Sequence, residues 1–224
     1  ADGPVRTQVL GISTPQKQQQ SQRVKDYMNY EIMNNMTDYE PDFDQLLFYL
    51  PLAGSAFKKV YYDEVEGKAV SKFVPADDLV VPYAATSLTD AESIIHVVRM
   101  SENDLRKQQV GGFYKDMDLT PGPVNETEAE KKERELAGER KTKDGGIFTL
   151  LEFHTEIDLE GFEDVDQDQE PTGIKLPYII TIEEASGQIL SIRRNYEIGD
   201  TKRKPIQYFV HFKFLPGLGF YGFG

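Results

Sequence analysis

Glu152, His154 and Glu156 alternate along the run FTLLEFHTEI, so on a strand their side chains share one face. A carboxylate, imidazole, carboxylate row is a metal-ligand pattern, and His211 from a later strand-like run would supply a fourth donor. The chain holds three histidines and shows no second donor cluster. A polar, solvated strand face is therefore the favoured reading, with no metal site. Asp164, Asp166, Asp168 and Glu170 imitate the opening of a calcium loop. That loop needs glycine at its sixth position and glutamate at its twelfth. Gln169 and Lys175 stand there instead, so a solvated acidic loop is expected.

Catalysis has no other foothold. Acid–base work needs two carboxylates in divergent surroundings, and among 38 acidic residues chance pairs carry no information. There is no Gly-x-Ser-x-Gly elbow and no cysteine nucleophile. LPGLGFYGFG (residues 215–224) is rich in glycine but lacks the Lys-Ser or Lys-Thr that follows a phosphate-binding loop. The expectation is a protein that is not an enzyme and takes no cofactor. Arg193, Arg194, Lys202, Arg203 and Lys204 form the one basic concentration. They mark a possible interaction surface for nucleic acid or an acidic partner. Charge balance against the neighbouring acidic loops is the favoured alternative.

A formal net charge of −13 argues against a module that grips DNA, because such modules carry a basic face that releases counterions. It suits a surface that DNA slides past, and equally a chain kept dispersed by repulsion. No cysteine is present, which excludes disulfides and leaves the compartment open. No apolar run reaches the ~18–20 residues that span a bilayer, so a soluble protein without a membrane partner is expected. No basic stretch leads into an apolar one, so no signal peptide is visible. The chain opens on Ala1 rather than Met, which points to a processed or excised piece.

The elements that would position these residues follow from pattern. Ser13 or Thr14 caps a helix with Pro15 in its first turn, running from Lys17 to about Met36 with Val24, Tyr27, Met28, Ile32 and Met36 at helical spacing. Pro41 begins a second helix, which Pro51 and Gly54 end. Short strands follow at Phe57–Tyr62, Ala69–Val74, Leu79–Tyr83 and Ile94–Met100. Ser101 caps a helix over Glu102–Val110, with Asp104 close to a capping box and Gly111-Gly112 as its stop. Asp116–Gly146 is almost wholly charged toward its end and reads as a mobile insertion holding a short exposed helix around Glu126–Glu139. Strands resume at Ile147–Ile157. LPYIITIEE and QILSIRRN then form a hairpin around Ala185-Ser186-Gly187, where glycine supplies the positive φ of a tight turn. Pro205–Phe214 is the last strand. The fold class is α+β, with N-terminal helices followed by a largely antiparallel sheet, over one region spanning 1–224. The aromatic run Phe209–Phe223 needs cover: it folds back onto its own sheet, or the natural polypeptide continues past it.

Three segments go further. TGIKLPYIITIEEASGQILSIRRNY, DQLLFYLPLAGSAFKKVYYDE (Asp44–Glu64) and FKFLPGLGFYGFG (Phe212–Gly224) resemble portal proteins of short-tailed, double-stranded-DNA bacteriophages, and in particular the N-terminal wing region of such a subunit. The resemblance implies a structural, non-enzymatic subunit of a dodecameric homo-oligomeric ring at one capsid vertex of the virion, assembled in the host cytoplasm. It implies capsid and scaffolding proteins, the terminase packaging motor and head-completion or tail proteins as partners. Double-stranded DNA would pass without tight binding during packaging and ejection. The rest of the wing, the stem and the clip would lie beyond the stretch seen here. Two alternatives stand beside it: another virion structural adaptor, and an intracellular acidic hydrolase with unidentified carboxylates.

Overall fold

The computed structural model describes residues 3–64, 66–122, 146–165 and 168–224. Helices come first and antiparallel sheets follow, a mixed α+β chain. The described residues divide into two compact units, 1–76 with 207–224, and 77–206. The sequence, read as one region, gives no sign of this division.

In the first unit, α1 (Pro15–Tyr30) starts where Thr14 accepts a hydrogen bond from the Lys17 N–H at 3.3 Å and Pro15 presets the first turn. The helix widens into a π turn over Glu31–Asn35, closed by Met36 N–H to Glu31 C=O at 2.9 Å. Helix α2 (Tyr39–Ala53) carries Pro51 inside its last turn and ends on Gly54 at φ +73°. Only glycine takes that conformation without strain. A Cβ on Gly54 would also lie 2.5 Å from backbone atoms of Gly222, Phe223 and Gly224.

Strand β1 (Ser55–Asp63) is central in a three-stranded antiparallel sheet, between β2 (Lys68–Pro75) and β8 (Phe209–Lys213). Its register sets two faces. Lys58 opposes Phe73 and Val210, and Val60 opposes Ser71, on the face that α2 covers through Tyr49 against Phe73. Phe57 opposes His211 on the other face. The last strand is shorter than its pattern suggests. Pro205 has no N–H to give a ladder, and Ile206 instead donates to Asn195 C=O at 2.9 Å.

The second unit is a five-stranded antiparallel sheet in the order β3-β4-β5-β6-β7, from Leu79–Val80, Ser93–Ser101, Ile147–Ile157, Leu176–Glu183 and Ile189–Arg194. A bulge lies between Thr181 and Ile182. Strand β3 stops early because Pro82 opens a turn, its carbonyl accepting from Ala85 N–H at 3.0 Å. Helix α3 (Glu102–Val110) has the cap read from sequence, the Ser101 hydroxyl accepting from Asp104 N–H at 3.2 Å. Its Leu105 joins Tyr114, Phe148, Leu150 and Leu190 in the core, with Met117 and Leu119 packed against them. The start of the charged stretch is thus part of this core, and the helix expected at Glu126–Glu139 lies outside the described residues.

Candidate functional site

The first unit contains a cleft of about 1030 Å³ between the α1–α2 region and one face of the three-stranded sheet. Alternation along β1 turns Lys58, Val60 and Tyr62 toward it, while Val210 and Phe212 of β8 extend the apolar floor. Lys58 is 4% exposed. Its Nζ sits 4.6 Å from the Tyr39 ring centroid and 5.3 Å from that of Phe43, whose rings stack on each other at 6.0 Å. The ammonium has no hydrogen-bond partner among the described residues. Burial lowers the Lys58 pKa, while the charge of Asp42 opposes the shift. The Asp42 carboxylate is itself engaged, accepting from Phe73 N–H at 2.8 Å. A buried cation facing two aromatic rings and an apolar cleft recognises negative charge on an otherwise apolar molecule. Sequence reasoning does not single out Lys58. The only signal is the Lys58-Lys59 pair, which in an alternating strand must send one lysine to each face.

On the opposite face of the same sheet, His211 lies against Phe57 (4.4 Å between centroids) and Phe220 (4.8 Å). Its Nε2 is 3.1 Å from Ser55 Oγ, which also accepts from Gly222 N–H at 2.8 Å. Through Phe220, 6% exposed, the aromatic C-terminal run folds back onto its own sheet. Burial, then the charge of Lys213, pushes the His211 pKa down to about 4.

Acid should therefore destabilise this unit. The unfolded chain takes up the His211 proton near pH 6.5 and the folded chain only near pH 4. Between those values the unfolded state binds more protons, so stability present above pH 6.5 is lost as pH falls and levels off below 4. At ~1.4 kcal/mol per pH unit, discounted for the half-buried ring's contact with water, the loss is about 1–3 kcal/mol. Urea unfolding at pH 7.5 and 4.5 checks this. His211→Phe should lose less over that interval by this amount, and an identical loss in both proteins would contradict it.

The residues that the sequence offers as chemistry are placed differently. Glu152 and His154 do not form a solvated face: they are 6% and 7% exposed and bond to each other, Nε2 to Oε1 at 2.6 Å. They share a strand face with Phe148 and Leu150, both buried, so theirs is the packed face. Glu156, near the strand end, is exposed. His211, the suggested fourth donor, belongs to the other unit. No group of three or more metal-capable side chains occurs among the described residues. Asp164 accepts from the Thr172 hydroxyl at 2.7 Å and pairs with Arg203. Asp166 lies outside the described residues.

The basic residues do not converge on one patch. Arg193 and Arg194 are adjacent on β7 and so project to opposite faces. The Arg193 guanidinium lies 3.9 Å from the Phe113 ring centroid, and Arg194 stands opposite Tyr178 in the β6–β7 register. Arg203 is held by Asp164 at a left-handed backbone position, φ +47°. Lys202 and Lys204 donate their backbone N–H groups to the Asp200 carboxylate, each at 3.0 Å, and their side chains are exposed. No family model and no curated protein matches the chain.

Proposed function

We propose that this chain is part of a structural subunit of a phage-type portal ring, a closed homo-oligomer at a capsid vertex through which double-stranded DNA is packaged and ejected. The observation that carries the subunit reading is the apolar surface of the first unit. Phe48 and Leu52, one helical turn apart on α2, are 77% and 72% exposed, and Leu218 of the C-terminal run is fully exposed. Large apolar side chains exposed side by side, as Phe48 and Leu52 are on one face of α2, mark surfaces that another protein covers. Closing a ring requires the same two surfaces to meet at every interface.

What selects a portal among such assemblies is the resemblance of the three segments. Two of them, Asp44–Glu64 and Phe212–Gly224, lie far apart in sequence and build one unit together, joined by Gly222 N–H to Ser55 and by Phe214 N–H to Gly54 C=O at 3.0 Å. The third supplies the β6–β7 hairpin. The acidic balance favours DNA passage without adhesion. No helix of the described residues is long and apolar enough to cross a membrane. Capsid and scaffolding proteins, the packaging motor and head-completion proteins are the partners this reading calls for.

Electron microscopy of the full-length natural polypeptide tests it. Closed rings with a central hole are expected, and a uniform population of monomers at micromolar concentration would overturn the reading. Fluorescence anisotropy with a labelled duplex at ~0.15 M salt tests the passage surface. The expected dissociation constant lies at or above the ~1–100 μM of non-specific encounters, whereas submicromolar binding would contradict a non-adhesive surface.

A further inference from the structure

We propose that the cleft of the first unit binds an amphiphilic monocarboxylate, a molecule with one carboxylate head and an unbranched apolar tail, with Lys58 anchoring the head group. Two independent observations lead there. One is the cavity itself, about 1030 Å³ and walled by Met28, Met36, Val60, Val210 and Phe212. The other is the Lys58 ammonium, 4% exposed and without a hydrogen-bond partner among the described residues. Buried charges are normally paired, whereas this one packs against the faces of Tyr39 and Phe43, and the nearby Asp42 carboxylate is engaged by Phe73 N–H without bonding it.

The remaining charged groups of the cleft are already used. Lys68 pairs with Glu66 at 2.8 Å, and the Glu31 carboxylate accepts from the Asn35 amide at 3.0 Å. One unused cation in an apolar cleft matches a ligand with one anionic end. Asn34, Asn35 and Ser71 also line the cleft, but the side chains of Met28, Met36, Val60, Val210 and Phe212 offer a peptide's N–H and C=O groups no partner, whereas an alkyl tail needs none. The two methionines, unbranched and adaptable, suit a tail that can settle in more than one way. To reach Nζ, the head group must tilt the half-buried Tyr39 ring aside. Tyr39 is the first residue of α2, and its ring is held by its stacking on Phe43 and its contact with Lys58, of which the carboxylate replaces the second.

Isothermal titration of the unmodified chain with dodecanoate, dodecan-1-ol and dodecyltrimethylammonium, each below its critical micelle concentration, tests the proposal. Dodecanoate should bind at least about tenfold more tightly than either of the others. Lys58→Met keeps the apolar stem and removes the charge. It should weaken dodecanoate about tenfold or more and leave dodecan-1-ol within about twofold. Ser71→Phe fills the cleft while retaining Lys58, and should abolish binding of both. If Lys58→Met fails to fold, the ligand series on the unmodified chain and Ser71→Phe still decide. Equal affinity for acid and alcohol, or Lys58→Met binding dodecanoate unchanged, would overturn the proposal. So would binding of an apolar, glutamate-containing peptide where dodecanoate does not bind, which would mark the cleft as a protein-docking site.

Discussion

Replacing Phe57 with alanine should remove about 3–5 kcal/mol of stability, the usual cost of deleting a fully buried phenylalanine. Phe57 has no exposed surface. It sits at the third position of the central strand and touches the rings that close this face, His211 at 4.4 Å and Phe220 at 5.9 Å between centroids. The loss combines the transfer of an aromatic side chain with a cavity that β-sheet backbone cannot easily collapse into. It also removes one of the rings that Phe220, the one buried large side chain beyond β8, stacks on, leaving His211. The C-terminal run should then loosen before the rest of the unit unfolds. Denaturant unfolding measures the first effect as a lower midpoint, and faster proteolysis within Leu215–Phe223 measures the second. Phe223, 59% exposed, is the internal comparison. Its replacement by alanine should change stability by less than about 0.5 kcal/mol, and equal effects at the two positions would refute this account of the face.

What the sequence reveals depends on the range of the cause. Helix α3 is legible to the residue because its cap, Ser101 to Asp104, and its stop, Gly111-Gly112, are local. The hairpin is legible because Ile-rich alternation and Gly187, at φ +66°, act within a dozen residues. Strand β3 and the start of β8 are overextended in the pattern reading because strand length is set by the neighbour available for pairing, and Pro82 and Pro205 deny it. Pro51 reads as a helix end from sequence and instead sits in the last turn, where only one N–H is forfeited.

The chemistry is less legible, because burial is a tertiary property. Glu152 and His154 alternate as a solvated row would, yet both lie inside, since they continue the face of β5 that Phe148 and Leu150 bury. Lys58 carries no motif. Its isolation follows from the register of β1 against β8, 150 residues away in the chain, and from α2 laying Tyr39 and Phe43 above it. The five basic residues cluster in sequence, but strand alternation and the Asp164 and Asp200 contacts separate them in space.

The hairpin turn gives the second large effect, because a buried acid organises it. Glu183, 1% exposed at the end of β6, accepts hydrogen bonds from Ala185 N–H at 3.1 Å, from Ser186 N–H at 2.7 Å and from the Ser186 hydroxyl at 2.5 Å. Its backbone closes the same turn, N–H to Gln188 C=O and C=O from Gly187 N–H, each at 2.9 Å. Glu183→Ala leaves two backbone donors and a hydroxyl without their acceptor beside the fully buried Leu150. Ala185 and Ser186 are exposed, so water replaces the acceptor in part and each lost bond to the carboxylate costs about 0.5–1.5 kcal/mol. The net loss should be about 2–4 kcal/mol, read as a lower thermal midpoint for the second unit. Glu183→Gln keeps an acceptor oxygen and should lose roughly half as much. Ser186→Ala removes a single bond and should cost about 1 kcal/mol. The double variant Glu183→Ala/Ser186→Ala should be less destabilised than the sum of its parts, because the hydroxyl that one change orphans is deleted by the other. Strict additivity would mean that the Ser186 hydroxyl does not depend on Glu183, and that the turn is held by Gly187 and the strand ladder alone.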